Sequence, residues 1–227
     1  MTKEEYKMML WKEYVQQAPF IEEVRKEGCI RLGEAFVKGN VSFPYEIYHA
    51  LMEQERFRLD ERLELEYEKD GEDYFLRYQG EEWLFEREEL KDFLEYLISI
   101  FEEVLPLGSV VDLKKEFLEE TIPLKDVERV RVVIVQRYVG ESPEGFYYPY
   151  AGTLYPTGIP GSRRLIEFTP SLIENVVRHG YSDEQEDAYV YLMKRELMLE
   201  RKLHSMGFAD KKEREVYMEY LKGVNAL

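Results

Sequence analysis

The hydrophobic positions in the first part of the chain have the spacing of α-helices. The capping-box pattern Thr2-Lys-Glu-Glu5 predicts a helix to about Gln17. A second helix is predicted from Tyr45 to about Glu55, directly after Pro44. The best defined predicted helix carries one apolar stripe, which consists of Leu90, Phe93, Leu94, Leu97, Ile98, Phe101 and Val104.

Between the second and third of these helices the hydrophobic period changes to two. Apolar and charged residues alternate from Phe57 to Tyr67, which predicts one strand with a buried face and a solvent-exposed face. Asp70-Gly71 predicts a tight turn, and the alternation resumes from Tyr74 to Tyr78. A further strand is expected near Trp83. The segment is therefore predicted to be an antiparallel β-hairpin sheet packed with helices.

A second, β-rich region is predicted after Leu105-Pro106. Because proline disfavours the α conformation of the residue before it, we place a domain boundary there. Short strands separated by glycine and proline turns are predicted over residues 109–113, 129–138, 150–154 and 163–168. The apolar run from Val130 to Val135 is typical of a strand buried on both faces. These strands predict a small sheet or a barrel-like domain.

Helical signals return in the last third of the chain. Thr169-Pro170 and Gly180 predict the start and the end of a short helix. A capping-box pattern at Ser182 predicts a long helix to about Ser205, and a final helix is predicted over residues 210–222. The predicted fold class is α+β. It comprises an acidic α+β domain over residues 1–104, a small β-rich domain over 105–181 and a helical extension over 182–227.

The charge of the chain is concentrated in its N-terminal part. Of the net charge of −16, the first 104 residues contribute −13, from 14 basic and 27 acidic side chains. Nucleic-acid binding depends on basic groups that neutralise phosphates, so this charge argues against a nucleic-acid partner. No apolar run approaches the roughly 18 residues that a membrane helix needs, and the acidic N-terminus does not resemble a signal peptide. We therefore expect a soluble cytoplasmic protein.

The residue types that carry out catalysis are few and scattered. The single Cys29 excludes an intrachain disulfide and is expected to be a buried apolar residue. Glu46-x-x-His49 has the spacing of a carboxylate-bridged metal site, but no second copy of the motif exists. Gly152, Gly158 and Gly161 lack the neighbours of a phosphate-binding loop and are interpreted as turn residues. The sequence thus predicts no enzyme, no cofactor and no metal site.

Three features are candidate protein-binding surfaces, and each has a structural alternative. The tyrosine-rich run that ends at Tyr150 offers rigid amphipathic contact area, or it completes the core of a small sheet. A basic pair at a predicted hairpin tip is a docking point for acidic groups or a solvated end. The long predicted C-terminal helix is interpreted either as a partner-binding surface or as a structural helix that packs on its own domain. The candidate residues are Tyr147, Tyr148, Tyr150, Tyr155, Arg163, Arg164, Leu199 and Leu203.

Several short motifs of the second half occur together in one family. They are Leu105-Pro-Leu-Gly-Ser-Val-Val111, the strand that ends in Arg137, Tyr150-x-Gly152, Leu154-Tyr-Pro-x-Gly158, Phe168, Ile173 with Val176, and Gly180-Tyr181. In this order and combination they resemble domain-of-unknown-function family 4176 over residues of about 104 to 187. The resemblance covers a little over a third of the chain.

The resemblance implies a link to type VII secretion in Gram-positive bacteria and to the LXG toxins that those systems export. It implies a cytoplasmic accessory protein without known catalysis, which acts as a chaperone or targeting adaptor for a toxin. The alternative is an immunity protein that neutralises a toxin domain, because an acidic surface suits a basic nuclease. The acidic first 104 residues lie outside the resemblance, and we expect them to recognise a basic toxin surface.

Overall fold

The computed structural model describes residues 1–115, 129–142, 145–158 and 165–224. The chain divides into two compact units. The first unit comprises Met1–Glu103 and Asp187–Glu200, and the second comprises Val104–Glu186 and Arg201–Leu227. The segment predicted to be one C-terminal helical extension is therefore shared between the two units.

Four helices of the first unit surround a common core. They are α1 (Lys3–Gln17), α2 (Lys26–Glu34), α3 (Ser42–Met52) and α4 (Arg87–Phe101). The predicted capping box at the start of α1 is confirmed, since the Glu5 N–H donates to Thr2 Oγ1 and the Thr2 N–H donates to the Glu5 carboxylate. The apolar stripe predicted for α4 is buried from Leu90 to Phe101. Trp11 of α1 is fully buried, and its ring lies 5.3 Å from that of Phe93.

The four-stranded sheet of the first unit is antiparallel, in the order β1-β2-β3-β4. Its strands are β1 (Phe57–Asp60), β2 (Leu65–Asp70), β3 (Asp73–Tyr78) and β4 (Glu81–Phe85). The hairpin formed by β2 and β3 and the further strand at Trp83 are confirmed. The inner face is buried and consists of Leu65, Tyr67, Tyr74, Leu76, Tyr78, Trp83 and Phe85.

The prediction of one continuous strand from Phe57 to Tyr67 is wrong. The chain turns after β1, where Asp60 Oδ1 accepts hydrogen bonds from the N–H groups of Arg62 (2.8 Å) and Leu63 (3.1 Å). An aspartate that bonds to the backbone two residues further on stabilises such a turn. The turn reverses the chain, so that Phe57 pairs with Glu68 on the outer face of the sheet and is 48% exposed.

The second unit is built on a six-stranded sheet in which β5, β6, β7, β8 and β9 pair antiparallel and β10 pairs parallel with β7. The strands are β5 (Val110–Leu113), β6 (Val130–Glu141), β7 (Phe146–Leu154), β8 (Ile166–Phe168), β9 (Ile173–Arg178) and β10 (His204–Ser205). The order is β10-β7-β6-β5-β9, with β8 paired to β7. Its main core cluster consists of Leu105, Val111, Leu113, Val130, Val132, Ile134, Tyr150 and Phe168. The predicted α+β class is confirmed.

Two predictions for the second unit are wrong. The short helix expected after Thr169 is a single 3-10 turn (Pro170–Leu172) followed by β9. The β-branched residues of this segment favour a strand, and β5 provides the edge with which they pair. In β6 only alternate residues reach the core, and Val135 is 43% exposed, so the strand is not buried on both faces.

The long helix predicted to reach Ser205 is shorter than expected, whereas the final helix is confirmed. Helix α5 (Glu184–Lys194) begins after Asp183, whose carboxylate accepts the N–H groups of Gln185 and Glu186. It continues as a π-helical segment (Arg195–Glu200) and does not reach Ser205. Helix α6 (Lys211–Val224) begins with a reciprocal pair of hydrogen bonds between Asp210 and Glu213.

Candidate interaction surface

The outer face of the first unit's sheet carries two rows of side chains that cross all four strands. Strand register aligns Phe57, Glu68, Phe75 and Leu84 in one row. The same register aligns Leu59, Glu66, Arg77 and Glu82 in the other. We call these eight residues the outer sheet face.

The apolar members of the outer sheet face are open to solvent. Phe57 is 48% exposed, Leu59 45% and Leu84 47%, while Phe75 is half-buried between them. Single exposed apolar residues are ordinary on protein surfaces, but several on one sheet face mark an interaction site. This surface therefore offers apolar contact area at both edges of the sheet.

Acidic groups occupy the centre of the outer sheet face. Arg77 forms ion pairs with Glu66, Glu68 (2.6 Å) and Glu82 (2.5 Å). Hydrogen bonds to these carboxylates raise the pKa of Arg77 further above its ordinary value. Three carboxylates around one guanidinium leave an excess of two negative charges. Because all four side chains are partly exposed, the cluster contributes little to stability, and its charge is available to a partner.

A depression of about 750 Å³ adjoins this acidic centre. Its lining includes Leu59, Arg77 and four glutamates, namely Glu64, Glu66, Glu81 and Glu82. The whole segment over residues 57–85 carries four basic and ten acidic side chains. The arrangement is suited to accept a cationic side chain next to an apolar one.

The tyrosines predicted as candidate binding residues divide by burial. Tyr147 and Tyr150 are buried, and Tyr150 Oη accepts the Leu105 N–H at 2.9 Å. Tyr148 is half-buried, with its ring 5.4 Å from that of Tyr217. Tyr155 is 56% exposed. Of these four side chains, the folded second unit offers Tyr155 most fully to a partner.

The two leucines predicted as binding residues are buried. Leu199 lies in the buried part of the π-helical segment, and Leu203 is also buried. Arg163 and Arg164 lie outside the described residues.

The sequence did not predict the outer sheet face, because no glycine or proline marks a turn at residues 61–64. The one local signal of that turn is Asp60, an aspartate at the end of an alternating segment.

Cys29 lies in the first unit as a free thiol. Cys29 is buried, and burial raises the pKa of its thiol to about 12. Since the thiolate is the nucleophile, this cysteine stays in its unreactive form near neutral pH. Among the described residues, no three His, Cys, Asp or Glu side chains converge in a way that would hold a metal ion. No helix in the same part of the chain is both long and apolar enough to span a bilayer.

Two lysines bind the C-terminal end of α4. Lys7 Nζ donates to the carbonyl of Phe101 (2.8 Å), and Lys194 Nζ donates to those of Ile100 (3.0 Å) and Glu102 (3.2 Å). The last carbonyls of a helix lack partners within the helix, and positive charge is favourable there. Burial nevertheless disfavours the ammonium form and lowers the pKa of Lys194 to about 7.

We expect this lysine to make the first unit more stable as the pH rises above neutrality. Between about pH 7 and its ordinary pKa of 10.5, Lys194 is protonated in the unfolded chain and largely neutral in the folded one. The unfolded state then binds more protons, so the stability contribution grows with pH and is lost as the pH falls through about 7. Lys194→Met should flatten the rise. Urea unfolding of both proteins from about pH 8 to about pH 10 measures the change of stability with pH.

The pH range and the control isolate Lys194 from other groups. Glu102 accepts a hydrogen bond from Tyr45 Oη (3.0 Å), and burial raises its pKa to about 7. The raised pKa of Glu102 contributes folding stability that is fully present below its ordinary pKa of 4.5. This stability is lost as the pH rises through about 7, which is below the measured range. Lys12→Met, at an exposed position of α1, should keep the rise. An unchanged slope in Lys194→Met would contradict the prediction.

Ser109, before β5, and Gly180, after β9, hold two backbone segments of the second unit together. Ser109 Oγ donates to the Pro106 carbonyl (2.7 Å) and accepts the Gly180 N–H (2.9 Å). A Cβ on Gly180 would lie 2.1 Å from the Leu107 carbonyl oxygen. Gly180 is thus required for a close approach of two backbone segments and does not end a helix.

Gly152 and Arg137 have similar structural roles. A Cβ on Gly152 would lie 2.5 Å from the Val133 carbonyl oxygen of the neighbouring strand. Arg137 of β6 forms a bidentate ion pair with Glu186 in the first turn of α5. The side chain of Arg137 is 3% exposed and that of Glu186 is 18% exposed. The motif residues therefore hold backbone segments and elements of the second unit in place.

These features define an α+β protein with an acidic sheet-and-helix unit and a second, β-rich unit shaped by glycines. Residues 104–189 match the family model Domain of unknown function (DUF4176), which confirms the resemblance of the sequence motifs. The match covers the second unit up to the start of α5, and the outer sheet face lies before it. Neither the curated proteins nor the solved structures match this chain.

Proposed function

We propose that this protein is a non-enzymatic accessory factor that serves as a chaperone or targeting adaptor for an LXG toxin exported by type VII secretion. The observation that carries the proposal is the outer sheet face, with exposed Phe57, Leu59 and Leu84 around an acidic centre. Exposed apolar groups supply contact area, and surrounding charge selects the partner. The family match confirms the resemblance of residues 104–189, and the link to secretion is what that resemblance implies.

The acidity of the first unit also suits an immunity protein that covers a basic toxin domain. Both functions are protein binding, and both would use charge complementarity to speed association and exclude wrong partners. They differ in which part of the toxin is bound. An adaptor binds the leading export region, whereas an immunity protein binds the toxic domain.

Co-expression of the full chain with an LXG toxin encoded beside it tests the proposal. We expect a complex that persists through size-exclusion chromatography, and the complex should be lost when the toxin lacks its leading region. Deletion of the accessory gene should lower the amount of toxin secreted. Absence of any complex would refute the binding function. Protection of cells that express the bare toxin domain would instead identify an immunity protein.

A further inference from the structure

We propose that the outer sheet face binds a cationic amphipathic helix of its protein partner. The proposal rests on the protein-binding function proposed above and specifies the chemistry of the bound segment. Apolar side chains of the helix pack on Phe57, Phe75 and Leu84. Lysine or arginine side chains of the helix pair with Glu66, Glu68 and Glu82.

The dimensions of the outer sheet face fit a short helix. Neighbouring strands lie about 4.8 Å apart, so Phe57 on β1 and Leu84 on β4 are separated by about 14 Å across the sheet. A helix rises about 1.5 Å per residue, so roughly ten residues cross this distance. Apolar residues at helical spacing would contact the edge strands and Phe75 between them.

The charge of the surface selects a cationic partner. Arg77 neutralises one of the three carboxylates that surround it, and the depression adds Glu64 and Glu81 to the acidic set. A second copy of this chain would bring a net charge of −16 against the same face. Anionic membrane surfaces would be repelled for the same reason. A basic amphipathic protein segment is the occupant that complements both the apolar residues and the carboxylates of the outer sheet face.

A pair of designed peptides tests this chemistry on the full chain. One is a fluorescent peptide of about 18 residues with leucine at helical spacing and lysine elsewhere, and the other has glutamate in place of lysine. We expect the lysine peptide to bind in fluorescence anisotropy and to bind less tightly as salt rises. The glutamate peptide should not bind. Equal binding of both peptides would overturn the electrostatic part of the proposal.

Matched variants separate the site from the general acidity of the protein. The triple change Glu66→Gln, Glu68→Gln and Glu82→Gln should weaken binding of the lysine peptide by about tenfold or more. The control makes the same charge change at exposed positions outside the sheet and consists of Glu23→Gln, Glu27→Gln and Glu88→Gln. Equal losses in the two triple variants would show non-specific attraction and overturn the proposed site.

The apolar half of the site is tested by Phe57→Thr with Leu84→Thr. Threonine is well tolerated in strands, and both positions are exposed, so circular dichroism should show an unchanged fold. Peptide affinity should fall by about tenfold, because truncation of a few large apolar contacts removes much of an interface's binding energy. Unchanged affinity in the folded double variant would overturn the apolar contact.

The same variants distinguish this inference from the proposed function. If the toxin complex forms equally well with both sets of outer-face variants, the accessory function stands and the docking site is wrong. If no toxin complex forms while the lysine peptide binds in a site-dependent way, the docking chemistry stands and the accessory function is wrong.

Discussion

Replacing Glu186 by alanine is expected to lower the unfolding free energy of the second unit by about 3 kcal/mol or more. The carboxylate pairs through two oxygens with the guanidinium of Arg137, whose side chain is 3% exposed. The substitution removes the carboxylate, while the guanidinium of Arg137 stays desolvated in the folded protein. Urea unfolding monitored by a probe in the second unit measures the loss.

Glu184→Ala is the matched control for this prediction. Glu184 is exposed in the same first turn of α5, so its removal takes the same charge from the same helix end. We expect a cost within about 0.5 kcal/mol. A double-mutant cycle that adds Arg137→Met isolates the pair, because the second change should recover part of the loss. Similar costs for Glu184→Ala and Glu186→Ala would contradict the role of the buried pair.

Gly180→Ala is expected to destabilise the second unit by about 3 kcal/mol. The added methyl group would lie 2.1 Å from the Leu107 carbonyl oxygen and 2.9 Å from the Ser109 nitrogen. Both obstacles are backbone atoms, so a side-chain rotation cannot relieve the clash. The Gly180 N–H would also move away from Ser109 Oγ. Thermal unfolding of the purified variant measures the change.

Gly158→Asn provides the comparison for Gly180→Ala. Gly158 has a positive φ of 71°, and a Cβ there meets open space. Asparagine tolerates this left-handed conformation better than other non-glycine residues, so the cost should stay below about 1 kcal/mol. If Gly180→Ala proves as mild as Gly158→Asn, the close approach to Leu107 does not constrain the fold.

Local patterns account for the parts of the fold that the sequence predicted correctly. The capping box at Thr2 involves residues three apart, and the turn at Gly71 joins two adjacent strands. The stripe on α4 reports the side of the helix that must be buried. Each of these signals lies within one or two neighbouring elements, so no knowledge of distant contacts was needed.

The candidate site depended on a turn that the sequence marks weakly. Phe57 and Leu59 have the same parity as Leu65 and Tyr67, so unbroken alternation assigns all four to the buried face. The hydrogen bonds of Asp60 turn the chain between these pairs, and strand register then places Phe57 and Leu59 opposite glutamates. One missed turn therefore concealed the exposed apolar groups.

By itself the sequence determined the α+β class, the acidity of the first 104 residues and the motifs of the family segment, because these depend on composition and local order. The tertiary structure decided that residues 173–178 form a strand, since the partner strand β5 lies about sixty residues earlier in the chain. It also decided which face of the first sheet stays exposed. Strand pairing joins residues that are distant in sequence, so hydrophobic spacing alone does not specify it.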